Sequence, residues 1–258
     1  MDVFLLFLLV GLLAQIVDGA LGMAYGVIAN TVLLAFGVPP AAASASVHVA
    51  KIFTGAASAV SHVMHRNIRW SLFWPLAAGG MIGGVVGTYV LTGIPGETIK
   101  PFILLYLLAI GIWVLWRAAR DVRLRLFPLG WSGPLGFVGG LLDAIGGGGW
   151  GPTVTSTLVG AGTEPRRAIG TVNTAELLVT VAISAAFLTT LLTGRWSGGA
   201  LENHAAALAG LIIGGVIAAP FAGWITKRVP ARLLTYGVGV LIVILAGYQG
   251  LQLAGFAP

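Results

Sequence analysis

Apolar residues in this chain do not alternate with polar ones. They run in long blocks, and polar residues collect in short stretches between them. Eight blocks can be drawn: about 3–36, 41–64, 70–92, 101–117, 131–160, 166–193, 203–226 and 232–254. Most are close to the length of roughly 20 residues that an α-helix needs to cross a bilayer. The pattern predicts an all-α, polytopic integral membrane protein. Blocks one and five are too long for simple spans, and both are interrupted by an aspartate and by glycines.

The fifth block carries the sharper interruption, "DAIGGGGWGPTVTSTL" from Asp143 to Leu158. Each glycine costs about 1 kcal/mol relative to alanine inside a helix, so four in a row predict a break. Pro152 suits the first turn of a new helix, where its missing N–H costs nothing. The expected structure is a helix, a break at Gly146, Gly147, Gly148 and Gly149, and a half-helix from about Pro152. Unpaired N–H groups at such a half-helix start form an anion-binding geometry, to which Thr153, Thr155 and Ser156 add hydroxyls. Glycine also serves close helix packing. Gly83, Gly84, Gly87, Gly214 and Gly215 are assigned to that role.

The two halves of the chain resemble each other. Shifted by 125 positions, "VDGALGMAYG" (Val17–Gly26) lies on "LDAIGGGGWG" (Leu142–Gly151). Asp18 meets Asp143, Gly22 meets Gly147 and Tyr25 meets Trp150. Without a gap, Pro40 then meets Pro165, Ala43 meets Ala168 and Val47 meets Val172. The chain is expected to be one membrane domain, 1–258, built from repeats of about 1–125 and 126–258. Internal repeats are a common plan for transporters. Lysine and arginine bear on orientation. If blocks one and five return to the side they entered, eleven loop cations from Arg66 to Arg232 share one side, and only Lys100 and Arg195 face the other. The tendency of basic loops to stay cytoplasmic favours this solution. Each half then crosses an odd number of times, which makes the repeats inverted.

The second block carries a polar stripe. Ser44, His48, Lys51, Gly55, Ser58 and His62 are spaced by alternating steps of four and three, so they share one helix face. The repeat places Asn173 at the position of His48 and Glu176 at that of Lys51, and Thr180 extends this shorter stripe. Ionisable groups inside a membrane segment mark a pathway or a pair. In an inverted repeat Lys51 and Glu176 can meet at the centre, either as a structural pair or as part of a transport site. His48 is the better proton carrier, because imidazole titrates near neutrality. Asp18 and Asp143 carry protons, cap half-helices or pair with Lys51, with structural support favoured. His62 and His65 belong to the loop end, as do Glu202 and His204 at another segment end.

Composition sharpens the class. Hydrophobic residues make up 57% of the chain and charged residues 9%, far below the quarter usual in soluble domains. The net charge of +6 lies in loops between apolar blocks, where topology explains it without a nucleic-acid partner. The absence of cysteine excludes disulfides and thiolate metal sites. No HExxH or GxSxG occurs, and no cofactor, metal site or enzymatic activity is expected. The start "MDVFLLFLLVGLL" lacks the positive region of a signal peptide and is expected to be retained. Glycine-rich faces offer a route to a homodimer.

Two stretches, "VDGALGMAYGVIANTVLLAFGVPPAAASASVHVAKIFTGAASAVSHVMHRNIRW" (Val17–Trp70) and "GFVGGLLDAIGGGGWGPTVTSTLVGAGTEPRRAIGTVNTAE" (Gly136–Glu176), resemble the two repeats of the TauE/SafE family, the sulfite exporter family of membrane permeases. The resemblance implies a secondary transporter of small anions, especially sulfur oxyanions and organosulfonates, driven by protons or the membrane potential. It implies a bacterial inner membrane setting, and it carries the glycine-rich element onto Gly146–Gly149. In the first half that run is reduced to Gly19, Gly22 and Gly26. The expected site comprises Gly146, Gly147, Gly148, Gly149, Thr153, His48, Lys51 and Asn173 for substrate. Asp18, Asp143 and Glu176 serve proton coupling or support. An anion channel, or a sensor or partner subunit that transports nothing, is the alternative.

Overall fold

The computed structural model describes residues 3–119, 127–161, 163–198, 204–226 and 231–255. Its regular structure is helical: α1 (Val3–Leu21), α2 (Tyr25–Ala35), α3 (Pro40–Met64), α4 (Trp70–Gly93), α5 (Gly96–Ala118), α6 (Ser132–Gly146), α7 (Ser156–Gly160), α8 (Pro165–Leu192), α9 (Ala205–Thr226) and α10 (Ala231–Leu253). A wide π-helical turn, Gly151–Thr155, leads into α7. Among the described residues four helices contain stretches long and apolar enough to cross a membrane: Trp70–Gly93, Gly96–Trp116, Pro165–Leu192 and Thr235–Leu253. Large apolar side chains such as Phe102, Leu105, Ile244 and Leu251 stay exposed on the outer surface. That surface suits lipid, in which every backbone polar group must be satisfied internally.

Both long blocks are broken as their glycines require. In the first, α1 ends at Leu21, Gly22 turns with φ +64°, and α2 starts at Tyr25. In the second, α6 ends at Gly146 with Gly147 in the left-handed conformation, φ +68°, and the π turn starts at Gly151. A side chain at either turn would be strained. Pro40 and Pro165 each open a long helix at its first turn, where proline is tolerated. One boundary differs from the hydropathy reading. The helix α5 begins at Gly96, ahead of the expected position 101. Its first residues are polar, so hydropathy hides them, while Glu97 in the first turn complements the helix dipole.

Glycines set how the helices cross. Gly79 and Gly83 of α4 face the backbone of Gly133 and Phe137, and Gly136 and Gly140 of α6 face that of Leu76 and Gly80. In the same way Gly210 and Gly214 of α9 lie on the backbone of Phe4 and Leu8 in α1. Residue numbers advance together at both crossings, so each pair is parallel. A methyl group at these positions would overlap backbone atoms, which is why small residues dominate close membrane crossings. Gly84 and Gly87 meet Ile183 and Ala144, and Gly215 meets Thr54 and Tyr25. The helices α3 and α8 run antiparallel at the centre: Lys51 lies opposite Glu176 and Ser58 opposite Asn173, and Asn67 just past α3 meets Gly170.

Candidate functional site

The middle of the bundle is polar. His48 and Asp143 are 0% exposed and Lys51 is 6% exposed. Unpaired charge at such depth costs several kcal/mol, so pairing is expected. Lys51 Nζ lies 2.5 Å from Glu176 Oε1 and 3.4 Å from both oxygens of Asp143. His48 Nε2 lies 3.2 Å from Asp143 Oδ2. The other ring nitrogen, Nδ1, lies 2.8 Å from the Ser44 carbonyl oxygen. A carbonyl only accepts, so Nδ1 carries a proton. The Nε2–Asp143 contact then needs a second proton, held by one partner or the other. The hydroxyl of Ser44 donates to the Ala144 carbonyl at 2.6 Å. The α3 stripe is thereby bolted to the end of α6.

Both aspartates also tie their helix breaks. Asp143 Oδ1 accepts the backbone N–H of Trp150 at 3.1 Å, and Asp18 Oδ1 accepts that of Tyr25 at 3.2 Å. Each carboxylate satisfies an N–H at the start of the piece beyond its break, a capping role. Their surroundings differ. Asp143 adds His48 and Lys51 and is closed. Asp18 lines a narrow cavity with Gln15, Tyr25, Lys51, Asn173, Glu176 and Thr180, with room for about one water molecule.

The glycine run is not part of that cavity. Its four residues are buried against protein: Gly146 and Gly149 against Tyr106, Gly147 against Asn30, and Gly148 against the backbone of Gly26 and Val27. The two breaks thus pack on each other, with Gly151 against Met23 and the Thr155 hydroxyl donating to the Gly22 carbonyl at 2.9 Å. Thr153 faces Tyr106. The structure therefore gathers Lys51, Asn173, Glu176 and Asp18 around one cavity and His48 and Asp143 behind Lys51. It sets Gly146–Gly149 and Thr153 apart, in contact with side chains and backbone where an anion was expected.

Sequence reading missed Gln15, Asn30 and Tyr106. Asn30 donates to the Gly146 carbonyl at 2.7 Å, and Gln15 is buried one turn before Asp18. Each is a lone amide in an apolar helix, which is itself a signal in a membrane segment. His62 contacts Asn67 at 3.3 Å and His65 the Ser61 carbonyl at 2.7 Å, both at the α3 end as expected. Arg120, Arg123, Arg125, Glu202, Lys227 and Arg228 lie outside the described residues. A second cavity lies where α3 and α5 begin, lined by Pro40, Gly96, Arg195 and Trp196. The Trp196 ring lies 5.5 Å from that of Phe187, which in turn lies 6.4 Å from His48.

Apolar helices long enough to span a bilayer, two broken segments and a central cluster of ionisable groups define a multi-pass membrane protein with charge at its centre. The chain matches the family described as sulfite exporter TauE/SafE over residues 7–248. It is 40% identical over 251 residues to a Bacillus subtilis (strain 168) protein named probable membrane transporter protein YtnM, covering 95% of this chain and 81% of that one. No solved structure matches. The chain belongs to the TauE/SafE family and is a membrane transporter, not an enzyme.

Proposed function

We propose that the chain is a secondary transporter of small anions, sulfite or an organosulfonate, working by alternating access between two inverted halves. The observation that carries this reading is Lys51: a buried cation at the antiparallel crossing of α3 and α8, beside a cavity. In the resting arrangement Lys51 is already neutralised by Glu176 and Asp143. An anion gains its positive field only when one of these carboxylates is neutralised. A proton arriving at Glu176 or at the His48–Asp143 pair does that, which ties anion binding to proton binding. The parallel crossings of α1 with α9 and α4 with α6 support the inverted repeat. In each, the first helix of one half lies on the third block of the other.

The test is flux of labelled sulfite and of a small organosulfonate into liposomes holding purified protein, with and without a pH gradient. Saturable, gradient-responsive flux is expected. Its absence from folded protein, for both anions, would overturn the substrate class. In the same assay His48→Gln is expected to flatten the pH dependence of flux. An unchanged profile would remove His48 from the proton path.

A further inference from the structure

We propose that the cavity between Asp18 and Glu176 is a binding site for one small monovalent cation, of which sodium is the best fit. The charge count comes first. Asp143, which is buried, and Asp18 and Glu176, which are partly buried, are three carboxyl groups in one region, against Lys51 and His48. With every group ionised the region still carries one negative charge, and with His48 neutral it carries two. Low-dielectric surroundings make such an excess costly unless a further positive charge is bound.

The ligand atoms come next. Lys51 takes Glu176 Oε1 and the Tyr25 N–H takes Asp18 Oδ1. Each carboxylate keeps a second oxygen that no described residue bonds. Asn173 is 3% exposed and Thr180 0%, both line the cavity, and Asn173 Oδ1 and Thr180 Oγ1 are buried without a hydrogen-bond partner. The Asn173 amide is oriented by its Nδ2, which lies 3.5 Å from Ser58 Oγ. A proton on one carboxylate would correct the charge and could serve one of these oxygens, but not Asn173 Oδ1 and the cavity-facing carboxylate oxygens together. A metal cation takes carboxylate, amide and hydroxyl oxygens together, and an all-oxygen set suits a hard ion. The space is that of about one water. An excess of one negative charge, with every group ionised, is met by one monovalent ion.

This inference does not depend on which anion is carried, and its test needs no flux. The melting temperature of the purified protein would be measured in sodium, potassium or choline chloride at fixed ionic strength and at two pH values. A saturable sodium-specific rise of roughly 5 °C is expected. Thr180→Val removes one oxygen at nearly constant shape and is expected to raise the half-saturating sodium concentration about tenfold, an affinity loss of about 1.4 kcal/mol. Asp18→Asn is expected to abolish the rise. Equal melting in sodium and choline at both pH values would overturn the site. So would a sodium response left intact by both variants. Stabilisation by acid alone, without a sodium effect, would assign the missing charge to a proton and overturn the metal cation.

Discussion

The two helix breaks use the same device in different company. At Asp143 the carboxylate holds a backbone N–H, an imidazole and an ammonium, and nothing but protein surrounds it. At Asp18 the carboxylate holds a backbone N–H and otherwise faces a cavity. Positioned 125 residues apart, the aspartates share one job, capping a break, yet only one is locked in place. The difference teaches that one backbone solution can serve twice, while the partner at each matched position decides whether a break is rigid or receptive. His48 fills the polar slot beside Asp143; its counterpart Asn173 is shorter, neutral and left with an oxygen to spare.

The comparison breaks most visibly if both aspartates prove equally costly to neutralise. Asp143→Asn strips Lys51 and His48 of their shared partner, and breaking a buried pair typically costs about 3–5 kcal/mol. Asp18→Asn keeps an acceptor for the Tyr25 N–H and is expected to cost about 1 kcal/mol or less. Thermal unfolding of both variants in one detergent decides. Lys51→Met should follow in size. Adding Glu176→Gln to it removes one of the stranded carboxylates, so the double variant should recover about 1–3 kcal/mol of coupling in a double-mutant cycle. An additive cycle would mean that the pair does not form.

The breaks themselves offer a milder test. Gly148→Ala drives a methyl group into the backbone of Gly26 and Val27, and should cost about 1–3 kcal/mol of overpacking. Gly237→Ala, on an open face of α10, is the control and should be neutral or stabilising. The smallest effect is the most diagnostic of the eroded first repeat. Ala24 sits just before α2 with φ +121°, a conformation that costs a residue with a Cβ about 1 kcal/mol or more. Ala24→Gly should raise the melting temperature slightly; a fall would show that the alanine side chain contributes packing that outweighs the strain.

Much of the centre was legible from the repeat alone. The register that aligned Lys51 with Glu176 anticipated that they would meet, and the matched aspartates anticipated a cap at each break. Helix periodicity placed Ser44, His48 and Lys51 on one face, where they now contact α6 and α8. The glycine run was legible as a break but not in what it faces. A residue without a side chain admits any close neighbour, backbone or ligand, and only the tertiary arrangement chose Gly26, Asn30 and Tyr106. The cavity was illegible for a related reason. It depends on side chains from four helices, the last of them far from the others in sequence, and a one-water gap leaves no periodic trace.

The pairing of α1 with α9 carries a consequence for how the protein is made. The helix α1 fits its glycine-lined neighbour only when Gly210 and Gly214 have been synthesised, some two hundred residues later. Until then its packing face must be sheltered by lipid or by the insertion machinery. The helix α4 waits far less, because α6 is next but one in the chain. Biogenesis is therefore lopsided: the second half completes the first, and truncation anywhere between α1 and α9 strands α1 in the membrane without its mate.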